Sequence, residues 1–304
     1  MAGKMVTNGA ATSGAAARPP GKTAREAVQG LAAHEAAART AASGGGVGRV
    51  HLIGAGPGDP ELLTLRALRL LQQADVVVHD RLVSDEVMAC IPAHVRRIPV
   101  GKAAGFHPVP QEQINALLVE LGLSGLTVAR LKGGDPTIFG RGGEEFEAVT
   151  AAGIPCDYVP GITAAQGAAA SARFPLTHRG LATGLRHVTG HRARDAALDL
   201  DWASLADPQT TLAVYMGAAN MTEIAAELIR HGMPSDLPVL AVSQASTPQE
   251  QRLHATLQDI PDALARRPLP APVLFILGHV AALAEDCALP QGVGRPEWRL
   301  VAHG

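Results

Sequence analysis

Two glycine-rich turns, each closing on Asp-Pro, follow two apolar runs rich in β-branched residues. They are Gly54-Ala55-Gly56-Pro57-Gly58-Asp59-Pro60 after residues 50–53, and Lys132-Gly133-Gly134-Asp135-Pro136 after residues 127–131. Each run reads as a buried strand. Glycine lets backbone come close to a ligand, and Asp followed by Pro suits an N-cap and first helical residue. A helix N-terminus free of acid attracts phosphate, whereas here a carboxylate takes that place. The turns therefore point to a small ligand that is not a diphosphate and that carries positive charge.

From residue 49 strands and helices alternate. Leu62, Leu65, Leu68 and Leu71 recur at helical spacing, residues 75–79 read as a strand, and residues 110–121 place Ile114, Leu117, Leu118 and Leu121 on one helical face. Strand-like runs at 127–131 and 157–159 precede a small-residue helix at 163–172. A second alternation starts near Leu185, with strands at 186–189, 211–216, 238–242 and 273–277 and an amphipathic helix carrying Met221, Ile224, Leu228 and Ile229. The expected fold is α/β, with two αβα domains and a cleft between them. Residues 49–173 form the first domain and 174–286 the second; 287–304 form a tail. Residues 1–48 are Ala/Gly-rich, lack a large apolar face and read as a disordered extension, too short and polar for a further catalytic domain.

With 47% hydrophobic and only 3% aromatic residues, the 304-residue chain suits an Ala/Val/Leu-rich α/β protein rather than a sandwich. A net charge of −2 gives no field that gathers nucleic acid. No apolar run reaches the roughly 18 residues that span a bilayer, and the N-terminus lacks a signal-peptide core. Cys90, Cys156 and Cys287 are far apart and read as reduced thiols of a cytoplasmic protein. Twelve histidines form no metal-ligand spacing, so no metal is expected. The first turn fails as a dinucleotide fingerprint, because Asp59 stands at the third glycine and Pro57 lacks an amide proton. No Gly-x-Ser-x-Gly elbow occurs.

Further blocks follow in order: Val76 to Val83 with Asp80 at its centre, Gly101-Lys102, Arg130 to Pro136, Ile138 to Glu145, Pro160 to Ala164, Pro175 to Arg179 and Val188 to His191. Taken together over residues 49–285 they resemble the tetrapyrrole methylase family. The resemblance implies a class III methyltransferase that binds S-adenosylmethionine in the interdomain cleft and acts as a homodimer. It implies cofactor contacts at Pro57, Gly133, Gly134, Asp135, Ile138, Thr163, Ala164, Met216 and Ala245. The implied reaction places two methyl groups on uroporphyrinogen III, at carbons 2 and 7, giving precorrin-2 for sirohaem, cobalamin or haem d1. A family enzyme for a later precorrin, or a non-catalytic homologue, shares much of the pattern.

The family's proton acceptor falls on Asp80 and its proton donor on Lys102. A substrate with eight carboxylates calls for guanidinium groups that grip bidentately, and Arg141 and Arg179 sit in matching blocks. Glu144 lies one turn beyond Arg141, where it orients the arginine or meets pyrrole N–H groups. Lys132 adds charge or packs, and His107, His178 and His191 match positions near the substrate. Four residues depart from the pattern: His79 for an aromatic, Ala103 for a basic residue, Thr137 for phenylalanine and Ala245 for glycine.

Overall fold

The computed structural model describes residues 46–101, 109–191 and 198–285. Lys102, Ala103, His107, Cys287, the N-terminal extension to residue 45 and the tail from residue 286 lie outside them. Five strands form the first sheet: β1 (Arg49–Gly54), β2 (Val76–His79), β3 (Arg96–Pro99), β4 (Thr127–Lys132) and β5 (Cys156–Val159). They are all parallel, in the order β3-β2-β4-β1-β5. Helices α1 (Leu65–Gln73) and α2 (Asp85–Ala89) cover one face, where Ala67, Leu71 and Val87 pack on Ile53, Val77 and Leu131. Helices α3 (Gln111–Leu123) and α4 (Gly142–Ala151) cover the other, through Ile114, Leu118 and Val149 on Leu52, Val78 and Val128.

Helix α5 (Ala164–Ser171) carries the chain to a second five-stranded sheet of β6 (Gly184–Thr189), β7 (Thr210–Tyr215), β8 (Pro238–Ser243), β9 (Gln251–Thr256) and β10 (Val273–Leu277). The order is β6-β7-β10-β8-β9. Only β6 and β7 run parallel; β10 inserts antiparallel between β7 and β8, and β9 returns antiparallel beside β8. Helices α6 (Trp202–Leu205), α7 (Met221–Arg230) and α8 (Ile260–Arg266) pack on one face. On the other lie α5 and the short 3-10 segment His279–Leu283, through Ala165, Ala168 and Val280 on Leu240, Val242 and Ile276. The α/β class expected from the sequence is present, each sheet covered on both faces, with the second sheet mixed rather than parallel. Among the described residues no helix is long and apolar enough to cross a membrane.

The central strands coincide with the apolar runs. The edge strands β3 and β9 do not, because each is half-exposed and carries polar residues outward. The Asp-Pro expectation divides. Asp59 caps a single 3-10 turn, Pro60–Leu62, accepting from the Glu61 amide at 2.8 Å. No helix starts at Asp135-Pro136; the chain turns there and α4 begins only at Gly142.

Candidate active site

The two glycine turns meet. Gly134 donates its N–H to the Gly56 carbonyl at 2.8 Å, and the Gly56 N–H returns to the Gly134 carbonyl at 3.2 Å. A third turn closes on them: a Cβ on Gly161 would lie 2.2 Å from the Gly134 oxygen, so backbone packs on backbone at the carboxyl ends of β1, β4 and β5. Asp135 locks this knot. Its Oδ2 accepts from the Gly161 amide at 2.9 Å, and its Oδ1 accepts from the Thr137 amide at 2.7 Å and from the Thr137 hydroxyl. The Asp135 carboxylate, expected from the sequence to cap a helix, is 8% exposed and takes three donors from the turns instead. Asp59, spent on its own cap, does not line the cleft.

Above the knot lies a cleft of about 360 Å³ between the two sheets. Carboxyl ends of parallel strands are the usual place for such a crevice in an open α/β sheet. All nine residues expected to contact the cofactor line it: Pro57, Gly133, Gly134, Asp135, Ile138, Thr163, Ala164, Met216 and Ala245. The Thr163 hydroxyl and Gln166 form a capping box that starts α5 at the cleft wall. Phe139 from the β4 turn and Tyr215 from the end of β7 meet across it, ring centroids 5.2 Å apart. The Tyr215 hydroxyl accepts from the Ala165 amide at 3.3 Å and lies 3.1 Å from His187 Nδ1, and burial raises the phenol above its ordinary range. Phe139, Arg141 and Met216 all have left-handed backbone, with φ of 51°, 54° and 55°. Such residues cost about 1–3 kcal/mol each and gather where surrounding structure imposes them for function.

The charged end of the cleft is built on β4. Arg130 and Lys132 are two residues apart, so both point to the face covered by α3 and α4. Arg130 Nη2 donates to Asp80 Oδ1 at 2.6 Å, and Lys132 Nζ lies 3.8 Å from Asp80 Oδ2. Glu145 on α4, fully buried, accepts from both cations on one oxygen. Burial is the main force holding the Lys132 ammonium below the ordinary lysine range, with the Arg130 charge adding to it. His79 turns its ring to the Asp80 backbone carbonyl, 3.3 Å away, rather than to the carboxylate, and burial lowers its pKa.

Asp80 and Arg141 line the cleft; Glu144 does not, but grips Arg141. Arg141 Nε and Nη2 each donate to a Glu144 oxygen at 2.7 Å, a bidentate pair that raises the guanidinium pKa and lowers that of the carboxylate. Glu144 thus orients the arginine, and the fork expected to hold substrate is already occupied. Arg179 departs from expectation: it is exposed on the turn bridged by His178 and Ala182 and does not line the cleft. That turn follows α5, and its flanking Phe174, Leu181 and Ala182 pack into the core beneath α5 while Arg179 points out. His191 is likewise exposed and outside the cleft. Lys102 and His107 lie outside the described residues.

Arg130, Glu145, Phe139 and Tyr215 belong to the site although the motifs do not single them out. Arg130 carried a signal in the sequence: a strand otherwise apolar that holds two cations on one face requires buried carboxylates nearby.

The family model described as Tetrapyrrole (Corrin/Porphyrin) Methylases matches residues 49–261. A uroporphyrinogen-III C-methyltransferase of Paracoccus denitrificans is 85% identical over 304 residues, the whole of both chains. A siroheme synthase of Methylococcus capsulatus is 52% identical over 241 residues, 79% of this chain and 51% of that protein, so the chain spans about half its length. The solved structure of uroporphyrin-III C-methyl transferase from Thermus thermophilus complexed with S-adenyl homocysteine is 44% identical. It covers 78% of this chain and 100% of its own, with a TM-score of 0.67. The chain belongs to the tetrapyrrole methylase family.

Proposed function

We propose that the chain transfers two methyl groups from S-adenosylmethionine to uroporphyrinogen III, at carbons 2 and 7, giving precorrin-2 and two molecules of S-adenosylhomocysteine. The observation that carries this reading is the joining, in one cleft, of an apolar, glycine-lined end to the Asp80–Arg130–Lys132 cluster. The donor fits the first end. Gly134 leaves open the space a Cβ would fill, 3.9 Å from the Ala164 amide nitrogen, and Pro57, Ile138, Met216 and Ala245 supply apolar surface for a nucleoside.

A sulfonium supplies an activated methyl whose C–S electron pair leaves with sulfur, so the protein's main task is alignment. Leu82 and Phe139 expose apolar surface to the cleft on which a macrocycle can lie. Once the ring carbon has given its electron pair to the methyl carbon, the cationic tetrapyrrole must lose a proton, and the Asp80 carboxylate is the base that lines the cleft. Arg141, held by Glu144 at the rim through Nε and Nη2, has Nη1 left to address a carboxylate of the substrate. Lys102 remains the proposed proton donor. The chain is proposed to act in the cytoplasm as a homodimer, which sedimentation equilibrium checks.

Methyl-labelled donor and uroporphyrinogen III test the reading. Two labels per tetrapyrrole and two S-adenosylhomocysteine molecules are expected. A trimethylated product, or no turnover by protein that still binds S-adenosylhomocysteine, would refute it.

A further inference from the structure

Glu145 is the least exposed ionisable group of the site, with 0% of its surface accessible. Its Oε1 accepts from four donors: Arg130 Nε at 3.1 Å, Arg130 Nη2 at 3.0 Å, Lys132 Nζ at 2.9 Å and Gln111 Nε2 at 3.2 Å. Its Oε2 is buried with no partner. A buried acid kept only for stability is poorly placed in this way, because an apolar side chain of similar volume is often as stable and an unpaired buried oxygen costs about 1–3 kcal/mol. The arrangement makes sense through what the two cations touch next. The same Arg130 Nη2 reaches Asp80 Oδ1 at 2.6 Å, and Lys132 Nζ lies 3.8 Å from Asp80 Oδ2. Each cation is therefore shared between two carboxylates, and the four formal charges cancel.

We infer that Glu145 is a positioning residue for methyl transfer, which sets the reach and charge of Arg130 and Lys132 and, through them, the readiness of Asp80 to accept a proton. The inference rests on the reaction proposed above. Without the Glu145 charge, both cations turn wholly upon Asp80, and a carboxylate so held is a poorer base. The donor end of the cleft, built on glycine backbone and apolar side chains, does not change.

The test is kinetic and uses the full chain. Turnover of uroporphyrinogen III by wild type is measured first, then kcat, KM and S-adenosylhomocysteine affinity for Glu145→Gln, Lys132→Gln and the double variant. Glu145→Gln is expected to lose kcat about tenfold or more, with KM and S-adenosylhomocysteine affinity within about threefold. The double variant, again charge-balanced, is expected to lose less than the product of the two single losses. An equally active Glu145→Gln, or single losses that simply multiply, would overturn the inference while leaving the reaction standing. An inactive wild type would overturn the reaction and this inference with it. Should Glu145→Gln fail to bind S-adenosylhomocysteine, Glu145→Asp decides: retained binding with reduced kcat supports positioning, and lost binding in both shows a purely structural acid.

Discussion

Asp135, on the cleft wall, and His79, beside Asp80, both bear on the stability of the fold. Asp135 accepts from Gly161 and Thr137 and holds the turns after β4 and β5 together. Asp135→Asn sets one amide N–H against another donor, so a loss of about 1–3 kcal/mol is expected from denaturant unfolding, with weaker S-adenosylhomocysteine binding. Burial keeps the His79 imidazole below its ordinary value of 6.5. The unfolded chain then takes up the proton first as the medium acidifies. Its contribution to stability is therefore complete above pH 6.5 and lost as pH falls through the folded value. Wild type is expected to lose more melting temperature than His79→Gln between about pH 7.5 and 5.5. Asp80→Asn is expected to bind S-adenosylhomocysteine within about threefold of wild type while kcat falls about a hundredfold or more. Loss of binding in that variant would place Asp80 at the donor end.

At the scale of elements, α5 joins the two halves of the site. A Cβ on Gly167 would lie 2.6 Å from the Pro57 ring, so the helix rests directly on the first glycine turn while its other residues pack on the second sheet. Gly167→Ala is expected to push helix and turn apart and to weaken S-adenosylhomocysteine binding about tenfold or more by calorimetry. Thr163→Ala removes a capping box, with an expected cost of about 1 kcal/mol. How far such elements could be read from sequence follows their burial. Strands β2, β8 and β10 stand out because both faces are covered and nearly every residue is apolar, while β1 and β4 are as buried but each carries polar residues. Helix α4 begins with two glycines and two acids, and its packing face is set by Glu145 and Val149 rather than by a leucine stripe. The glycine turns were legible because Gly56 and Gly134 take left-handed backbone, φ 72° and 67°, that favours glycine, and Gly54 and Gly161 meet backbone to backbone. The Glu145 network was not, since the pairing of Arg130 and Lys132 with an acid on α4 is decided by tertiary packing alone.

Over the whole molecule, the cleft owes its character to two unlike sheets. The parallel sheet contributes strand-end turns, an acid and two cations; the mixed sheet contributes Tyr215, Met216, Val242 and Ala245 as an apolar wall. Neither sheet alone makes a site for a charged nucleoside beside a macrocycle. A crystal of the chain grown with S-adenosylhomocysteine tests this most directly. Electron density is expected between the Gly133-Gly134 turn, the start of α5 and Met216, leaving Asp80 and Arg141 open to a second ligand. Density elsewhere, or a nucleoside lying across Asp80 itself, would contradict it.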